Sequence, residues 1–322
     1  MTENRNLLSA GLGMVGRNKR YIIWFWLLNL TLAEFGASGF RKSLHSTLDH
    51  SLFGDRLVHG LDAAVMLEVF SRPEFGRFVS MTTPALYFAF LFFMATALFL
   101  PGVFGGFASS YRLPSEEFFR ACGRNLWRFI RLMIIAAIVM GIVAGIVFGI
   151  HGAIVAKAGE STNELLPFEL QVTGLAVIFL IMTTLRIWFD LAEADIVLND
   201  QRAVRKSIWA GLRHTLRSLL RLLTSYVVAT ILAGLVLVGG LWVWMKFVPS
   251  TSVVGAFLVG QFTLFLLLIP RFWQRGVAVA YWQQKMLVPV AVAPPIVTEP
   301  VPEPPVAAPE PVTPAPPAVG EA

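Results

Sequence analysis

The sequence predicts an all-α fold: a polytopic transmembrane bundle of six spans, with two amphipathic elbow helices on the inner side and a disordered C-terminal tail. Three observations lead to it. Hydrophobic residues make up 56% of the 322 and charged ones only 14%. Soluble domains carry about 25% charged residues, so this much apolar surface calls for lipid as its solvent. Apolar stretches of about 20 residues recur, the length that crosses a hydrocarbon core as a helix. Finally, Lys and Arg gather in alternate connecting segments, the pattern that sets orientation in a membrane.

The single cysteine, Cys122, excludes an intramolecular disulfide, and no Cys/His spacing resembles a zinc site. The net charge of +6 is no pointer to nucleic acid, because in a membrane protein the informative quantity is which loops hold the basic residues.

Residues 1–20 form a basic N-terminus with Arg5, Arg17, Lys19 and Arg20, and a weak apolar stripe at Leu8, Leu12 and Val15. Gly11, Gly13 and Gly16 spell a literal G-x-G-x-x-G. No strand precedes it and a span follows, so it lacks the context in which such glycines present amides to a dinucleotide. The first span is 21–40, with Trp24 and Trp26 suited to the headgroup boundary. A signal peptide cut near Ala37-Ser38-Gly39 is the alternative; the long basic region and full-length apolar run favour an uncleaved anchor.

Residues 41–81 form an outer loop with short helices. His45 with Asp49, and Asp55 with His59 and Asp62, share helix faces, yet solvated faces place Asp and His this way routinely, so no metal is expected. The second span, 82–106, carries Pro101-Gly102 and ends in Gly105-Gly106, which predicts a kinked or unwound inner end. The first elbow, 107–131, opens with Pro114 and the acids Glu116 and Glu117, an orthodox helix start. The third span, 132–151, has Gly141, Gly145 and Gly149 at every fourth position, a row that lets another helix approach closely. An acidic outer loop, 152–169, leads to the fourth span, 170–189. The second elbow is 190–225, the fifth span 226–247 and the sixth 253–270. From 271 the tail begins. Twelve of the nineteen prolines lie from Pro289 onward, with no Lys or Arg, a composition that forms an extended polyproline-rich segment rather than a core. Pro311-Val-Thr-Pro314 matches PxxP, so a protein partner for this tail is one candidate.

With six spans and the N-terminus inside, nineteen of the 26 Lys and Arg fall on inner segments and seven on outer ones. The asymmetry predicts that both termini face the cytoplasm.

Within the elbows, Arg202, Lys206, Arg213, Arg217 and Arg221 fall in an arc of about 100° when placed at helical spacing. Val204, Ile208, Leu212, Leu216, Leu219 and Leu223 gather opposite. In the first elbow Arg120, Arg124, Arg128 and Arg131 fall within about 80° on the same construction. Helices of this kind prefer the headgroup region, with arginines at phosphates and the apolar side in the acyl boundary. These nine residues are therefore the candidate lipid-phosphate ligands, and anionic phospholipid the candidate partner. The competing reading is that they follow the positive-inside bias and pair with nearby acids. Among those acids, Asp190 lies four residues after Arg186 and Glu193 one turn further, placed to pair locally or with the arginines of the first elbow.

Two polar residues fall deep inside spans. Glu34 sits about 20 Å from the inner end of its span and Gln261 about 18 Å, by helix rise. They are the intramembrane candidates, placed to hydrogen-bond with each other, and an acid at such depth is by default a functional candidate.

Pro101-Gly-Val-Phe-Gly-Gly106, Phe118-Phe-Arg-Ala-Cys-Gly-Arg124 and Trp127-Arg-Phe-Ile-Arg131 resemble a recurrent group of bacterial multi-pass membrane proteins with no established reaction. Trp188-Phe-Asp-Leu-Ala192 and Asn199-Asp-Gln-Arg-Ala203 belong to the same resemblance. It implies a bacterial cytoplasmic membrane and no catalytic residue. The sequence holds no HExxH, Walker A loop or G-x-S-x-G. The expectation is a non-enzymatic membrane protein without cofactor that associates with anionic lipid or membrane partners; the alternative is a small transporter using Glu34.

Overall fold

Eight α-helices account for the regular structure of the computed structural model, which describes residues 6–38, 41, 78–109, 111–161, 163, 165–249 and 252–286. In chain order these are α1 (Leu7–Arg17), α2 (Lys19–Gly36), α3 (Phe78–Ala108), α4 (Ser115–Ala158), α5 (Leu166–Leu198), α6 (Val204–Arg217), α7 (Leu219–Phe247) and α8 (Val253–Met286). No strand occurs among the described residues. The histidines and aspartates of the outer loop from His45 to Asp62, and the tail from Leu287 with its PxxP, lie outside the described residues.

Five of the eight helices, α3, α4, α5, α7 and α8, are long and apolar enough to cross a membrane, so the architecture suggests a membrane protein. The expected first span is not among them. Its helix, α2, has 18 residues and carries Lys19, Arg20 and Glu34, more charge than an apolar span of that length holds.

The helices and their connections differ from the sequence expectation in four places. The first elbow is no separate helix: α4 runs unbroken for 44 residues from Ser115, about 66 Å at helical rise. Nothing between Arg131 and Leu132 stops a helix, and Leu, Met, Ile and Ala continue it. The second elbow is cut in three, because Asn199-Asp200 ends α5 and Ser218 separates α6 from α7. The last helix passes through Pro270 and runs to Met286, so residues 271–286 are helical and not tail. Likewise α3 stays helical through Pro101 and Gly102 to Ala108. Those glycines serve close packing instead of unwinding: a Cβ at Gly102 would lie 2.6 Å from Cys122 Sγ, and one at Gly106 would lie 2.8 Å from the Tyr21 ring.

Burial is concentrated at one end. Leu100, Val103, Phe104 and Phe107 close α3, Phe118, Phe129 and Leu132 open α4, and Ile187, Leu191 and Ile196 close α5. With Leu222 and Tyr226 at the start of α7 and Phe272 to Trp282 at the end of α8, they form one core. The helices alternate in direction, so all these ends meet in a packed head. The opposite stretches, such as Ile138 to Ile154 in α4 and Val228 to Phe247 in α7, leave many large apolar side chains exposed. Lipid explains the contrast. A side chain surrounded by acyl chains gains no hydrophobic driving force by packing, whereas near water each buried Phe or Leu is worth about 1.5–3 kcal/mol. The glycine row at Gly141, Gly145 and Gly149 lies in the exposed part, with open space where Cβ atoms would stand; the close helix approach expected there does not occur among the described residues.

The end of α8 is the head's central element, touching α1, α2, α3, α5 and α7. Gly276 meets Gly11 of α1, where a Cβ on Gly276 would stand 2.7 Å from the Gly11 carbonyl oxygen. That contact accounts for the first glycine of the G-x-G-x-x-G; Gly13 and Gly16 face open space. Indole N–H groups clamp the same layer: Trp273 donates to the Leu8 carbonyl at 2.8 Å and Trp282 to the Leu191 carbonyl at 2.7 Å.

Candidate functional site

The polar groups of the head fall into three sets. The innermost lies where α5, α7 and α8 converge. Tyr226 Oη donates to Asp190 Oδ2 at 2.9 Å, and Arg186 Nε stands 3.7 Å from the same oxygen. Arg186 and Asp190 thus pair locally, one of the two arrangements the sequence allows. Gln274 of α8 bonds the Thr230 hydroxyl at 2.9 Å. Arg275 and Arg186 bring positive charge to the buried Glu193. Removing one partner from such a set leaves an uncompensated buried charge, at a cost of about 3–5 kcal/mol. The set holds α5 to α8. Sequence reading missed Gln274 and Arg275 because they follow Pro270, where a span would be expected to end.

The second set is the first elbow, on the N-terminal half of α4. Asp200 adopts a left-handed backbone with φ 47° directly after the C-cap of α5, a conformation that Asp tolerates better than most residues. Its carboxylate meets Arg128 Nη1 at 2.7 Å and Arg124 Nε at 3.9 Å. The hydrogen bond from Arg128 holds the Asp200 carboxyl below the usual aspartate range. Arg120 pairs with Glu116 at 2.6 Å, and Arg131 lies over the Trp127 ring at 5.1 Å. Every arginine of the first stripe has a partner. The acid that meets Arg124 and Arg128 is Asp200, not Asp190 or Glu193.

The third set is on α6. Its buried face is Val204, Ser207, Gly211 and Thr215, and it lies against α5. A Cβ at Gly211 would come within 2.7 Å of the Trp188 carbonyl oxygen, and Trp188 Nε1 donates to the Ile208 carbonyl at 2.7 Å. The sequence places Val204, Ile208, Leu212, Leu216, Leu219 and Leu223 in the acyl boundary. The structure corrects this for three of the six: Val204 is buried and Ile208 and Leu223 pack on the protein core, while Leu216 stays 63% exposed. The reason is that Ser207 and Gly211 are small enough to let α6 settle on α5.

What remains open on α6 is a mixed face. Arg205, Trp209 and Arg213 follow at i, i+4 and i+8, so they form one column; Trp209 is 67% exposed. With Lys206, Ala210 and His214 they line an open cavity of about 440 Å³. Leu216, Arg217 and, past Ser218, Leu220 extend the exposed surface. Arg205, Lys206 and Arg213 make no ion pair or side-chain hydrogen bond among the described residues. Arg202 and Arg217 are also exposed, whereas Arg221 bonds Gln284 at 3.0 Å. His214 Nδ1 lies 3.3 Å from Tyr281 Oη. Burial first, then the charges of Lys285 and Arg217, hold its pKa below the ordinary histidine value. Arg205, Trp209 and His214 were not among the sequence candidates; the signal present was the Arg-x3-Trp-x3-Arg spacing.

The intramembrane candidates do not meet. Glu34 is 56% exposed and pairs with Arg41 at 2.6 Å. Gln261 is half-buried on α8, and no hydrogen bond joins the two.

Compared with known proteins, the chain matches no family model, and no curated protein or solved structure is significantly similar to it. The chemistry of these residues therefore carries the functional reading. Guanidinium forks and an ammonium beside an exposed indole form a surface suited to phosphate oxygens.

Proposed function

We propose that this is a non-enzymatic integral membrane protein of the bacterial cytoplasmic membrane, with both ends inside, that associates with anionic lipid through α6. The observation carrying the proposal is the open face of α6, where Arg205, Lys206 and Arg213, without an ion-pair partner among the described residues, flank exposed Trp209. Two apolar spans bracket the helix, α5 before it and α7 after it, which sets it near the depth where spans end. Each basic residue near an anionic surface contributes about 1 kcal/mol, and Trp favours the headgroup level. The orientation rests on the excess of Lys and Arg on the inner segments, and the bacterial location on the resemblance of the elbow segments. The first elbow takes little part, because its arginines are already engaged.

Phospholipid co-purifying with the full-length protein in mild detergent tests this. Replacing Arg205, Lys206 and Arg213 together by Gln is expected to lower the anionic share about tenfold or more, following that per-residue value. Replacing Arg120, Arg124 and Arg131 by Gln is expected to change it less than about twofold, in line with weak exposed charges that are already paired. Equal losses from the two sets, or no loss from the α6 set, would overturn the proposal.

A further inference from the structure

We infer that the α6 cavity is a discrete site for one phosphomonoester headgroup of a membrane lipid, an inference that rests on the lipid reading above and narrows it. Three cations line one opening, Arg205, Lys206 and Arg213, and the other lining residues are Trp209, Ala210 and His214. Among the described residues no carboxylate lines the cavity. Arg205 and Arg213 stand two helical turns apart, about 12 Å along the axis, each one turn from Trp209. Long side chains from both ends can close on an anion held over the middle of the column. Ala210 leaves room there.

The number of donors selects the anion. A phosphomonoester presents three terminal oxygens and a charge between −1 and −2 near neutral pH, so it accepts from all three cations together. A phosphodiester offers two terminal oxygens and one charge. A serine headgroup is also a phosphodiester; it adds a carboxylate, but on the same carbon an ammonium, which the three cations repel. Arginine forks also match phosphate oxygens bidentately, where lysine acts as a point charge. The attached lipid follows from the apolar neighbours. Exposed Trp209 and Leu216 lie on α6, and Leu220 is exposed at the start of α7; an indole at this level suits the glycerol and upper acyl region. A free phosphate ester leaves that apolar surface uncovered.

Native mass spectrometry of the full-length protein in detergent tests the site, with phosphatidic acid, phosphatidylglycerol, phosphatidylserine and phosphatidylcholine offered in equal amounts, and glycerol 3-phosphate as a soluble arm. One phosphatidic acid per chain should be retained, at least about fivefold over the two other anionic lipids, as expected for paired guanidinium forks. Arg205→Lys with Arg213→Lys keeps the charge and should erase this preference while anionic lipid is still favoured over phosphatidylcholine. The Arg205→Gln, Lys206→Gln, Arg213→Gln variant should lose both, with an unchanged melting temperature to show that it folds. Equal retention of all three anionic lipids by the unaltered protein overturns the site and leaves the lipid reading standing. So does a monoester preference that survives either variant. Glycerol 3-phosphate competing at equal concentration overturns the assignment to lipid. Failure to favour any anionic lipid over phosphatidylcholine overturns both readings.

Discussion

The N-terminal half of α4 and the exposed face of α6 are alike in charge and opposite in what surrounds that charge. Four arginines on α4 point along one face, and each meets a carboxylate or a ring: Arg120 with Glu116, Arg124 and Arg128 with Asp200, Arg131 over Trp127. On α6, Arg205, Lys206 and Arg213 meet none among the described residues. The counter-charge is distributed across the fold rather than along the sequence. Asp200 stands two residues before Arg202 in the chain, yet it serves the arginines of the other elbow, because its left-handed backbone turns it toward α4. Basic content alone therefore does not tell which stripe is available to a ligand; the placement of acids decides.

The strongest way to break the contrast is to unseat α6. Gly211→Val puts a branched side chain where even a Cβ would sit 2.7 Å from the Trp188 carbonyl oxygen. Overpacking of this kind costs about 1–3 kcal/mol, and the expected outcome is a lower melting temperature in detergent together with loss of anionic lipid, since the cations no longer share one surface. A smaller effect is expected from Asp200→Asn, which removes the carboxylate that Arg124 and Arg128 share. The first elbow should then come to resemble the second, and lipid co-purification should rise, by less than the α6 triple substitution lowers it. Unchanged lipid content in that variant would show that pairing does not silence the first stripe.

Acid should give the smallest and most graded change. Arg128 lowers the Asp200 pKa from its ordinary 3.8. A carboxylate lowered on folding contributes stability that is fully present above its unfolded value and lost as the pH falls through the folded one. The link between Asp200 and α4 should therefore be constant from pH 8 to 5 and weaken only below the ordinary aspartate range. Following the Asp200 carboxyl by NMR through an acid titration checks this; a midpoint at or above 3.8 would contradict the pairing.

Several features were legible in the residues themselves. Apolar length and composition identify five of the long helices, and Pro114 with Glu116 and Glu117 marks the start of α4. Pairing between Arg186 and Asp190 follows from their spacing of four. Features set by tertiary placement were not. Pro270 reads as the end of a span, but a helix passes through it and its far side becomes the most buried segment of the head. The apolar side of α6 reads as lipid-facing by periodicity, yet Ser207 and Gly211, unremarkable in sequence, let that side dock onto α5. Glu34 reads as isolated within a span, and Arg41, one residue past the expected end of that span, reaches it. In each case the missing information was a partner distant in the chain or a contact made possible by a small residue.

The level of Trp209 in the bilayer tests the account most directly. Cys122 is the only cysteine, so Cys122→Ala with Trp209→Cys gives a single site for a spin label. Power-saturation measurements in liposomes containing anionic lipid should place that label at the headgroup level, relaxed more by dissolved oxygen than by a water-soluble nickel complex. A label fully accessible to nickel and insensitive to oxygen would put α6 in bulk water and contradict the assignment of its exposed face to lipid.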